Sequence, residues 1–187
     1  MIGFAFCGSF CSFEKALTAL QRLKDEGYDI LPIMSEVAYN TDTRFGGAVD
    51  WRDRITSVCG REIIRSIVDA EPLGPKISLD ALVICPCTGN TLSKLASGMT
   101  DSAVCMAAKA HLRCDRPLLL ALASNDAMSA NLENIAAMLK RKNVYFVPMK
   151  QDDPISKPHS LVADFNSVPA ALTAALNGKQ LRPLFLE

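Results

Sequence analysis

Histidine is nearly missing from this sequence. His111 and His159 are the only two in 187 residues, too few for a histidine-based metal centre. Paired Cys-x-x-Cys spacing is missing as well. The seven cysteines (Cys7, Cys11, Cys59, Cys85, Cys87, Cys105 and Cys114) form an odd, scattered set, which excludes a disulfide framework and a zinc site. Thiols in apolar segments act as small hydrophobes. Net charge is absent too: Lys plus Arg and Asp plus Glu stand at 20 each, so no overall field draws the chain to nucleic acid or to an anionic membrane. No apolar run is long enough to span a bilayer, and Met1–Phe10 carries neither a basic leader nor a cleavage pattern. The expectation is a cytoplasmic protein with no nucleic-acid or membrane partner. No stretch reads as a linker, so residues 1–187 are expected to form a single domain.

What is present is an alternation of apolar strands and amphipathic helices. Ile2–Cys7, Tyr28–Met34, Asp80–Cys85, Pro117–Ala123 and Val144–Val147 read as buried strands, apolar without period-two alternation. Between them, helical spacing covers residues 13–26, 51–68 with a break at Gly60, 92–97, 102–112, 134–142 and 168–176. Pro86 closes the third strand in this reading. The order predicts an α/β fold, a doubly wound parallel sheet in a three-layer Rossmann-like or flavodoxin-like sandwich. Gln151–Ser160, polar and holding Pro154 and Pro158, reads as a loop for substrate or partner. The apolar tail 179–187 reads as a docking segment.

Ligands of such sheets bind past the carboxyl ends of the strands. Three polar turns fall there: Gly8-Ser9-Phe10, Ser35, and Thr88-Gly89-Asn90-Thr91. A strand, a Gly-Ser turn and a helix start make an anion site from free backbone N–H groups. The chain lacks the G-x-G-x-x-G spacing of a pyrophosphate loop, so the turn suits the single phosphate of a mononucleotide. Ordinary turn and capping chemistry is the alternative for each. Arg44, in the polar loop 40–50, is a candidate clamp for a carboxylate. Lys157 and His159, on the loop 151–160, are candidates for binding a dicarboxylate, and a solvated loop is the alternative.

Pro86-Cys87-Thr88-Gly89-Asn90-Thr91, followed by Lys94, Ala96, Gly98 and Asp101, resembles the Pro-Ala-Ser-Ala-Asn-Thr motif and helix of the homo-oligomeric flavin-containing decarboxylase family. The resemblance covers the whole chain and implies FMN. Gly8, Ser9, Phe10 and Ser35 are then expected at the phosphate, and Pro86, Cys87, Thr88, Asn90, Thr91 and Ala123 at the flavin ring. Asn90 and Asn125 are the amides nearest the ring or a substrate carboxylate. A trimer-based homo-oligomer is also implied.

The family's Pro-x-Met-Asn-x-x-Met-Trp motif survives only in part. Asn125 and Met128 are kept, with Leu122, Ser124 and Ser129 at the first Pro, first Met and Trp. Family decarboxylases use a histidine after the second strand, and this chain has none between Met34 and Asp80. A decarboxylase of a cysteinyl substrate and a flavin prenyltransferase are therefore the runners-up. A branch of the family in spore-forming bacteria fits better: a flavoprotein B subunit that, in the mother cell, oxidises a small dicarboxylate with a dehydrogenase-like A subunit carrying NAD(P). No residue stands out as the catalytic acid or base.

Overall fold

The computed structural model describes residues 1–187. Its centre is a run of strands with no polar face: β1 (Ile2–Phe6), β2 (Ile30–Met34) and β4 (Leu118–Ser124) are buried at every position, and β3 (Ala81–Thr88) at all but its last. Such strands need cover on both sides. One face carries Leu82, Ile84 and Leu120 against helices α4 (Ile67–Ala70), α5 (Gly89–Ser97), α6 (Ala103–Leu112) and α7 (Leu132–Leu139). The other carries Phe4, Phe6 and Val83 against α1 (Phe13–Asp25), α3 (Ala48–Cys59) and α8 (Val168–Leu176). A short α2 (Glu36–Asn40) follows β2. The three-layer α/β expectation stands.

The sheet runs β2-β1-β3-β4 in parallel, and β5 (Val144–Phe146) continues the parallel register on β4. The far edge departs from the all-parallel expectation. There β6 (Met149–Lys150) and β7 (Leu161–Ala163) form an antiparallel hairpin, and β7 pairs with β4 at Ala123 and Ser124. The sequence shows only short apolar fragments around a polar loop, so the hairpin was invisible as strands. Residues 151–160 are its connecting loop.

Two further boundaries differ. The third strand does not stop at Pro86 but runs to Thr88. The register with β4 slips between Ile84 and Cys87, so β3 uses one residue more than its partner over that stretch. A proline, which has no N–H to give, is tolerated at such a bulge. The extra residue keeps Ile84 and Cys87 on the same sheet face. The helix expected over 51–68 ends at Cys59, where Gly60 takes the left-handed conformation. Beyond it Ile64 pairs with Ile33 as a bridge: its N–H donates to Pro32 O and its carbonyl accepts from Met34 N, both at 2.9 Å. Neighbouring Ile63 and Ile64 pack on opposite sheet faces, which is strand behaviour.

Residues 179–187, read from sequence as a docking segment, lie on this chain's own sheet edge. Met149 N donates to Leu184 O, and Leu186 N to Met149 O, both at 2.9 Å.

Candidate functional site

β1 lies between β2 and β3, so the connection leaving β1 goes one way and the chain returns on the other side. That reversal opens a crevice at the carboxyl ends of β1 and β3. The turn at residues 8–12 and the start of α5 flank it. Cys7 N donates to Pro86 O at 3.3 Å, tying the first turn to the bulge of β3.

Two cavities of about 400 and 420 Å³ meet there, and they share Gly8, Thr88 and Asn90 as a common wall. The first is polar: Ser35, Thr91, Lys94 and Ser102 line it, with Glu36 and Asp101. The second is bounded by Ser9, Phe10, Phe45 and Ala123, together with Gly89, Asn125 and Asp126. Ser9 and Asn90 thus face one space from two different strand ends.

Local chemistry explains how each side chain is held. Thr88 caps α5, its Oγ1 accepting from Thr91 N at 3.0 Å and donating to Thr91 Oγ1 at 3.0 Å. Ser35 caps α2 by accepting from Ala38 N, and Ser102 caps α6 by accepting from Cys105 N. Glu36 Oε1 accepts from Ala103 N at 3.2 Å, which places a carboxylate on the positive end of α6. Lys94 and Asp101 pair at 2.8 Å; the ammonium's hydrogen bond holds the Asp101 carboxyl below its usual range and raises Lys94.

The other rim is organised by Asp126. Its Oδ1 accepts from Asn131 Nδ2 at 2.9 Å and from the Ser124 hydroxyl. These bonds, Ser124's first, hold the carboxyl below its usual range. The cluster packs against Gly89 so closely that a Cβ there would lie 2.5 Å from Ser124 Oγ and 2.6 Å from Asn131 Nδ2. Beneath the floor, burial pushes the Cys7 thiol up to about 12 and Cys87 well above its ordinary value, so these thiols stay protonated and packed.

Of the residues singled out from sequence, Gly8, Ser9, Phe10, Ser35, Thr88, Asn90, Thr91, Ala123 and Asn125 line one or both cavities. Pro86 and Cys87 do not. They are buried in the bulge behind the wall, where Cys87 is fully enclosed. Arg44 lines neither cavity but stacks 4.8 Å from the ring centroid of Phe45, which does. Lys157 pairs with Asp152 at 3.0 Å on the hairpin loop, and His159 is exposed there, its carbonyl accepting from Met128 N. Sequence reasoning missed Phe45, Glu36 and Asp126. Asp126 sits in a Ser-Asn-Asp run at a strand end, which was signal enough to include it.

The donor set fits a flavin mononucleotide. The N–H groups of Gly8 and Phe10 have no acceptor in the chain, and the amides of Asn90 and Asn125 make no hydrogen bond. Glycine at position 89 leaves the α5 end free of a side chain. No cluster of side chains suits a metal, and no helix is long and apolar enough to cross a membrane.

Comparison with known proteins agrees with this geometry. The chain is 44% identical over 186 residues to the B subunit of dipicolinate synthase from Bacillus subtilis (strain 168), covering 100% of this chain and 93% of that one. The crystal structure of the dipicolinate synthase B subunit from Bacillus halodurans C superposes with a TM-score of 0.92 at 41% identity, over 100% of this chain and 95% of that one. The FMN-dependent cysteine decarboxylase SpaF shares the fold, with a TM-score of 0.69 at 23% identity and 94% of each chain covered. The Flavoprotein family's sequence profile matches residues 1–172, and on these matches the chain belongs to the Flavoprotein family.

Proposed function

We propose that this chain is the FMN-binding B subunit of a dipicolinate synthase. It forms pyridine-2,6-dicarboxylate by oxidising dihydrodipicolinate, or its hydroxylated precursor after loss of water, with a dehydrogenase-like A subunit that carries NAD(P). The observation that carries the flavin part is the pair of cavities joined at Gly8, Thr88 and Asn90, one polar and one aromatic-walled. The Bacillus relatives are named as one of two or more different subunits, which supports a separate partner chain, and the solved decarboxylase and redox-cage neighbours of this fold support a homo-oligomer.

In this reading the phosphate sits in the first cavity, against the Gly8 N–H and the hydroxyls of Ser35 and Thr91. The ring sits in the second, between Thr88–Asn90 and Ala123–Asn125, with Phe10 and Phe45 excluding water from its faces. FMN supplies a ring able to accept or relay a hydride equivalent. Asn90 and Asn125 hold it or a substrate carboxylate by their amide N–H groups. Arg44 is placed on the Phe45 face, where a guanidinium is suited to the substrate's carboxylates, and Lys157 and His159 extend that rim on the hairpin loop.

The histidine distribution weighs against a stand-alone decarboxylase. His111 is fully buried with Nε2 bonded to Pro117 O at 2.9 Å, and His159 lines neither cavity. The test combines two readouts. The purified protein is expected to retain or take up FMN with bound-flavin absorption bands, and its mixture with the A subunit to convert dihydrodipicolinate and NAD(P) to dipicolinate. A flavin-loaded protein that leaves that conversion unchanged when added to the A subunit refutes the assignment.

A further inference from the structure

One carboxylate on the second cavity's wall has no role in the reading above. Asp126 is the only charged side chain lining that cavity. Both side-chain groups that hold it end on Oδ1, and they come from buried residues, Ser124 at 8% and Asn131 at 6% exposure. No other residue donates to Oδ2, and Asp126 is itself exposed at the cavity. Gly89 permits this placement, because any side chain there would displace the cluster.

An ionised carboxylate is an acceptor only, and the amides of Asn90 and Asn125 on the same wall are free to donate. An acceptor accompanied by two donors complements the pyrimidine edge of a flavin, where an imide N–H lies between two carbonyls. A dicarboxylate substrate offers no such donor, and its charge is repelled by Asp126. We propose that Asp126 Oδ2 accepts the flavin N3–H, with the amides of Asn90 and Asn125 serving the flanking carbonyls. The proposal rests on the FMN reading above and adds the polarity of the ring edge to it. The Ser124 hydrogen bond keeps the carboxyl ionised through neutral pH. Its charge beside the ring opposes the arrival of electrons, so Asp126 also lowers the midpoint potential of the bound flavin.

The test uses the full chain, with FMN and N3-methyl-FMN as probes, by titration of flavin fluorescence. Wild type is expected to bind FMN about tenfold or more tightly than the methylated flavin, the discrimination of a hydrogen bond to a charged group. In Asp126→Asn, which keeps the shape and an oxygen for Ser124 and Asn131, that preference falls to about threefold or less, and the midpoint potential rises. Equal wild-type affinities for the two flavins overturn the proposal even if the variant fails to fold. So does an unchanged preference in a folded variant. Binding of neither flavin by wild type overturns the FMN reading and this proposal with it, whereas equal binding of both overturns this proposal alone.

Discussion

Gly8 and Gly89 share one cavity wall yet respond differently to a methyl group. At Gly89 a Cβ meets Ser124, Asn131 and Asp126 at 2.5 to 2.9 Å, so Gly89→Ala is expected to cost about 1–3 kcal/mol of stability, read as a lower urea midpoint. At Gly8 the nearest atoms to a Cβ are 3.5 and 3.7 Å away. Gly8→Ala is therefore expected to fold normally and to lose flavin affinity, because the methyl group points into the space claimed for the cofactor. Unchanged flavin titration in Gly8→Ala would remove the first turn from the site. Cysteine reactivity gives an independent check. Cys11 is exposed at the second cavity, whereas Cys7, Cys59, Cys85, Cys87 and Cys105 are buried. Burial raises Cys59 to about 11, so a thiol reagent at pH 8 is expected to label Cys11 first and the buried set only on unfolding. Added FMN is expected to slow the labelling of Cys11.

Asp126 also predicts a pH effect. Its folded-state value lies below its ordinary 3.8, so the stability it contributes is present above that value and is lost as pH falls through the lower folded one. Asp126→Asn is expected to flatten this acid limb of a stability profile, measured by urea titration at each pH. At this scale the turns were legible in the sequence, since glycine, hydroxyl and amide residues at strand ends stand out. Asp126 was not, because its meaning depends on Asn131 and Gly89, which only the fold brings to it.

Helix caps connect residues to elements. Thr88 and Ser102 each satisfy one orphan N–H, at Thr91 and Cys105 respectively. Replacing either by alanine is expected to cost about 1 kcal/mol. Only Thr88→Ala should also weaken FMN binding, since Thr88 belongs to the wall common to both cavities. Thr88→Ser, which restores the cap, should recover most of the stability. Equal flavin affinity in both alanine variants would contradict the placement. Strands and helices were legible from apolar runs and helical spacing to within a few residues, and the exceptions have physical causes. Pro86 read as a stop because a proline cannot donate, but the β3 bulge absorbs it. Ile63 and Ile64 read as helix because they continue an apolar spacing from Ile55 and Val58, whereas in the fold they face opposite sides of the sheet.

At the scale of the whole molecule, the parallel core was legible because fully apolar strands alternating with helices leave few other arrangements. The far edge was not: its strands are two and three residues long, too short to show a period. That edge has an unusual layout. The outer side of β4 serves two partners in succession, β5 along Leu118–Leu120 and β7 at Ala123 and Ser124, and the C-terminal residues close over Met149 beyond them.

Such a forked border leaves the terminal segment acting as a seam. It occupies the Met149 N–H and carbonyl that would otherwise be open to a foreign strand. Removing residues 181–187 should unzip that border, leaving the flavin crevice intact while the molecules stick to one another at high concentration, visible as rising light scattering. A clipped protein that stays dispersed would mean the border guards itself.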